Sequence, residues 1–168
     1  MLGTMTRREK KFLLTTVAAG LALAAWKLAP LLEKRGLPQG AAGCDATLWN
    51  AVYHPQRLEI IEACKTVEGV IDKVLREGDG DLHIRLDVED KSLLNGKNLS
   101  GQHGMLVLEP ICQREPTQAD AIEPCRNYAG PFFELRTGMR VRVTGPYVLD
   151  HEHGWMEIHP VTSIVPIP

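Results

Sequence analysis

Five segments with a two-residue hydrophobic period, set between glycine-bearing turns, predict a mainly β domain. A short helical candidate falls between the third and fourth. This is the element order of a five-stranded OB-like antiparallel barrel with one or two short helices, and closing the sheet removes its exposed edges. A small β-sandwich is the competing architecture. In front of the domain, a basic-then-apolar start reads as a transmembrane or signal helix.

Arg7-Arg8-Glu9-Lys10-Lys11 runs directly into the apolar stretch Phe12 to Leu32. Its 21 residues match the roughly 20 that a membrane-spanning helix needs. Trp26 and Lys27 suit the outer interface, where Lys snorkels to the headgroups. Ala22-Leu23-Ala24 is a small-x-small site that signal peptidase could cut, which would release the domain. The expectation is an uncleaved anchor over residues 12–32 with the domain on the extracytoplasmic side. Thr6-Arg7-Arg8 reads as ordinary basic residues rather than a twin-arginine signal. Lipidation at Ala41-Ala42-Gly43-Cys44 is set aside, because it would strand three cysteines. Residues 33–43 are charged, then rich in Gly, Pro and Ala, and form a linker. Residues 44–168 are one domain's length.

Within the domain, Asp45-Ala46-Thr47-Leu48-Trp49 opens a short helix or turn, and Pro55 to Cys64 is a second helical candidate with Leu58, Ile60 and Ile61 near one face. Thr66 to Arg76 is the first strand. Glu77-Gly78-Asp79-Gly80 is a hairpin turn, because Asp-Gly supplies positive φ. The next strand alternates Leu82, Ile84, Leu86 and Val88 with Asp81, His83, Arg85 and Asp87, so its polar face is expected in solvent. Lys91 to Gly104 reads as a polar loop, and Met105 to Ile111 as a central strand apolar on both faces. Thr117-Gln118-Ala119-Asp120 resembles a capping box ahead of a helix that ends near Cys125. Met139 to Leu149 and Trp155 to about Ile164 complete the strands.

Charge narrows the partners. The whole chain has 19 Lys+Arg and 21 Asp+Glu, a net of −2. Residues 1–32 hold five of the bases and one of the acids, which leaves 14 against 20, a net of −6, on the rest. An acidic domain with 5% aromatic residues argues against nucleic acid, whose binding draws on phosphate neutralisation and base stacking. The four cysteines fit an oxidising destination. Four allow three pairings; Cys44–Cys64 with Cys112–Cys125 is expected, because each closes a short segment. No Cys-x-x-Cys redox or zinc-ribbon pair occurs.

Chemistry concentrates on two strands. Asp81 and His83 are two apart and share a face, as do Trp155, Glu157 and His159. If those strands are neighbours, Asp81, His83, Glu157 and His159 form a set suited to Zn²⁺ or to acid–base work. The bland reading is a solvated polar face on each strand. Asp79-Gly80-Asp81 lacks the rest of a calcium loop, and no Gly-x-Ser-x-Gly elbow, phosphate loop or His-Glu-x-x-His occurs. Asn98-Leu99-Ser100 satisfies the glycosylation triplet.

The segments Leu48-Trp49-Asn50 through His54-Pro55-Gln56-Arg57, Asp79-Gly80-Asp81-Leu82-His83-Ile84, Gly101-Gln102-His103-Gly104, and Val143-Thr144-Gly145-Pro146-Tyr147 through Trp155-Met156-Glu157-Ile158-His159-Pro160-Val161 are similar to an uncharacterised family of exported microbial proteins. The resemblance covers nearly all of Cys44 to Ile164. It implies a small exported β-rich domain and no activity. Two functions follow from the residues: a non-enzymatic binding module of unspecified ligand, which the absence of a catalytic motif favours, and a metal-dependent hydrolase built on the Asp/His/Glu/His set.

Overall fold

The computed structural model describes residues 43–168; the expected anchor over 12–32 and most of the linker lie outside the described residues. Among the described residues, no helix is long and apolar enough to cross a membrane. They are mainly β, with six strands in one sheet. The strands are β1 (Leu58–Arg76), β2 (Leu82–Val88), β3 (Leu106–Leu108), β4 (Arg140–Asp150), β5 (Met156–Ile158) and β6 (Ser163–Pro166). Pairing runs β1-β2-β3-β5-β4-β6, and β1 also pairs with β4, so five strands form a hydrogen-bonded ring. All contacts are antiparallel except β3–β5.

The 19-residue β1 makes that ring possible. Its first part pairs with β4, its last part with β2, and Gly69 and Val70 pair with both. A Cβ at Gly69 would lie 2.5 Å from the Asp87 carbonyl oxygen, so only glycine lets the two backbones approach this closely. Inside the ring, Ile71, Ile84, Leu86, Leu106, Leu108, Val141, Val143 and Ile158 form the main core. The alternation of β2 and β4 read from sequence places Ile84, Leu86, Val141 and Val143 inward.

Several elements differ from the expectation. Pro55 to Cys64 is helical only over Pro55–Arg57, a single 3-10 turn, and β1 begins at Leu58. Pairing of Leu58 and Ile60 with Asp150 and Val148 decides this, and the β-branched isoleucines suit it. The expected loop over Lys91–Gly104 contains a 3-10 turn and α1 (Gly96–Gly101). Asn95 caps α1 by accepting from the backbone of Lys97 and Asn98, while Asn98 returns the bond to the Asn95 N–H. The expected capping box at Thr117 makes no side-chain cap; Gln118 precedes a 3-10 turn and α2 (Ile122–Cys125). Thr117 and Gln118 donate instead to the Gly78 carbonyl, docking this loop on the hairpin. The last strand splits into β5 and β6, with Pro160, which has no N–H to give a ladder, in between.

The disulfides are Cys44–Cys64 and Cys112–Cys125, as expected. They flank a second apolar cluster of Leu48, Val52, Leu58, Ile111, Cys112 and Val148 outside the ring.

Asn98 is fully buried, and its amide nitrogen donates to the carbonyls of Met105 (3.0 Å) and Met156 (2.9 Å). Its side-chain oxygen accepts from the Met156 N–H at 2.8 Å. The glycosylation triplet therefore holds a structural amide, with no nitrogen free for a glycan. Asn98→Ala is expected to destabilise the domain by about 3 kcal/mol, because it leaves buried groups of β5 and of Met105 unpaired. A urea midpoint within error of the parent protein would count against this role.

Candidate functional site

The polar face of β2 is not in solvent at its start: Asp81 and His83 are 3% and 6% exposed. Only Asp87, further along, is exposed. Asp81 turns toward the disulfide arm, where it accepts from the Cys112 N–H at 2.6 Å. Burial, then the neighbouring Asp79, pushes its carboxyl well above the ordinary range. Asp81 also converges with Cys112 and Cys125 within 4.8 Å. Both sulfurs belong to the disulfide, so neither offers a thiolate to a metal.

His83 has other partners. The β2–β3 register sets Ile84 against Leu108, which brings His83 beside Glu109. Its Nδ1 lies 2.8 Å from Glu109 Oε1 and 3.9 Å from Glu77 Oε1, and its Nε2 lies 3.0 Å from Gln102 Oε1. Burial raises the Glu109 carboxyl well above its usual range, and the nearby carboxylates of Glu157 and Glu77 raise it further.

Glu157 and His159 are brought together, each 1% exposed, with His159 Nδ1 3.0 Å from Glu157 Oε1. Trp155 Nε1 donates to the other Glu157 oxygen at 2.8 Å. Strand β3 lies between β2 and β5. The two halves of the expected four-residue set therefore sit two strands apart, roughly 9.5 Å at normal strand spacing. His83 and the Glu157–His159 pair share the outer face of the sheet, with Glu109 between them in the β3 position.

The sequence reading missed Glu109, Gln102 and Asp150. A lone carboxylate inside the apolar run Met105 to Ile111 was a usable signal for Glu109. Asp150, 1% exposed by side chain, ends β4 and gathers four donors. Arg57 Nη1 binds it at 2.5 Å, the backbones of Glu152 and His153 at 2.7 and 3.1 Å, and His153 Nδ1 lies 2.7 Å away. The His153 ring in turn stacks on Trp155 with centroids 4.5 Å apart.

His83, Glu109, Asp150, His153 and Trp155 line one cavity of about 330 Å³ together with Arg57, Glu77 and Arg85, whereas Asp81, Glu157 and His159 are not part of its wall. Its wall carries both signs of charge, imidazoles and one indole. It can therefore offer donors and acceptors to a polar guest from several sides. A larger hollow of about 620 Å³ lies between the 3-10 helix Ala46–Ala51 and α2, near Leu48, Pro124 and Tyr128. It lacks a comparable convergence of charged groups. No protein-family model matches the chain, and no curated protein does either.

Proposed function

We propose that residues 44–168 are an OB-like β-barrel that works outside the cytoplasm as a binding module for a small polar ligand, held at the membrane through residues 12–32. The observation that carries the ligand reading is the 330 Å³ cavity, where buried His83, Glu109 and Asp150 converge with Arg57, Arg85 and Trp155. Ligand sites are concave and carry a few placed polar groups, and this lining is polar enough to favour a hydrogen-bonding guest over an apolar one. The strand ring with its parallel β3–β5 contact, and α2 between β3 and β4, support the OB-like assignment. The basic-then-apolar start and two disulfides support the location. The net acidity of the exported part sets nucleic acid aside as partner.

The ligand reading is tested by amide NMR shifts of the protein during titration with a panel of small polar solutes. At least one class is expected to move signals of β2, β3 and the Asp150–Trp155 turn, and Arg85→Ala is expected to weaken it. Shifts confined to the hollow beside Tyr128 would refute it. For location, protease added to intact spheroplasts is expected to digest the domain, and full protection would rule out the extracytoplasmic placement.

A further inference from the structure

We propose that Glu77, His83 and Glu109 form a divalent-metal site in the cavity wall, of a kind that Zn²⁺ fits. This rests on the cavity's being a ligand site and states what that site holds. One ligand atom from each residue lies within 4.8 Å of the other two. One imidazole nitrogen with two carboxylates is a set that first-row divalent ions accept, Zn²⁺ among them. Tetrahedral zinc with bonds near 2.1 Å places neighbouring ligand atoms about 3.4 Å apart. The separations from His83 Nδ1 are 2.8 Å to Glu109 and 3.9 Å to Glu77, on either side of that value. Shifts of about half an ångström would bring both of these separations to that value.

The other ring nitrogen supplies an independent argument. Gln102, itself buried, presents its carbonyl oxygen to His83 Nε2 at 3.0 Å. An acceptor there holds the proton on Nε2, as the outer partners of metal-bound histidines do. Nδ1 then directs a lone pair at a carboxylate oxygen 2.8 Å away. A shared proton satisfies that pair in the metal-free protein, and a divalent ion would take the proton's place, using the Nδ1 lone pair and the carboxylate oxygen together.

Arg85 adds a third observation. It lines the same cavity, and its buried Nε has no hydrogen-bond partner among the described residues. The carboxylate of Asp72 stops at 3.9 Å. Three protein ligands leave a fourth zinc position open, as in sites that bind water or substrate. An oxygen of the cavity's ligand in that position would also give Arg85 an acceptor.

The test is calorimetric titration of the full chain, stripped with chelator, with Zn²⁺ alone. One equivalent is expected to bind. Glu77→Gln and His83→Gln are each expected to weaken it by about tenfold or more. His151→Ala, a surface histidine paired with Glu59 outside the cavity, is expected to leave it unchanged. The Glu77 side chain is 44% exposed, so its replacement leaves the core undisturbed and isolates the ligand role. No uptake by the parent protein, wild-type affinity in both cavity variants, or loss in His151→Ala would each overturn the site. If Zn²⁺ fails to bind while small solutes still shift β2 and β3 signals, the metal site falls and the binding module stands. If both fail, the cavity reading falls with it.

Discussion

Reducing both disulfides is expected to remove roughly 6 kcal/mol of stability, about 3 for each bridge. The bridges span 20 and 13 residues, and loop-closure entropy changes slowly over that range, so the two contributions are similar. A domain's whole stability is about 5–15 kcal/mol, so reduction should remove a large share of it and lower the urea midpoint steeply. The bridges also lie at the smaller of the two apolar clusters. Cys44–Cys64 ties the N-terminal arm to β1, and Cys112–Cys125 ties the chain after β3 to α2, so both frame the small cluster of Leu48, Val52 and Ile111. Paired Cys→Ser variants should each lose about half of the total, and urea denaturation with and without dithiothreitol reads all of these quantities. A midpoint unmoved by reduction would show that the ring of strands is sufficient alone.

Asp150→Ala is expected to destabilise the domain by about 3–5 kcal/mol, the range for breaking a buried ion pair from one side. Four donors converge on this carboxylate, and its removal strands the Arg57 guanidinium, whose side chain is only 15% exposed. Burial alone would raise the Asp150 carboxyl, but the His153 hydrogen bond and the Arg57 charge outweigh it and hold the group below its ordinary value. The folded value is thus depressed relative to the unfolded chain. Its contribution is fully present above the unfolded value of about 3.9 and is lost as pH falls through the folded one. Asp150→Asn should therefore be less stable than the parent at pH 7, with the gap closing below about pH 4. A gap that stays constant from pH 7 to pH 2 would mean that shape, and not charge, is what the site requires.

Local chemistry made much of this domain legible. The alternation of Leu82, Ile84, Leu86 and Val88, and of Val141 and Val143, identified strands and their inward faces, because a strand's side-chain period is fixed by its backbone. The Asp79-Gly80 turn was equally plain: Gly80 sits at φ +98°, where few other residues go. The cysteine pairing followed from short loops. Tertiary contacts decided the rest. Leu58–Cys64 reads as helix until β4, some ninety residues later, pairs with it. The polar face of β2 reads as solvated until Gln102 and Glu109 cover His83. Asn98 reads as a surface loop residue until Met105 and Met156 claim its amide. Periodicity states which residues share a face, and that is a property of the nearest few bonds. What the face meets depends on strands distant in sequence, and here that alone turned a polar stripe into a cavity wall.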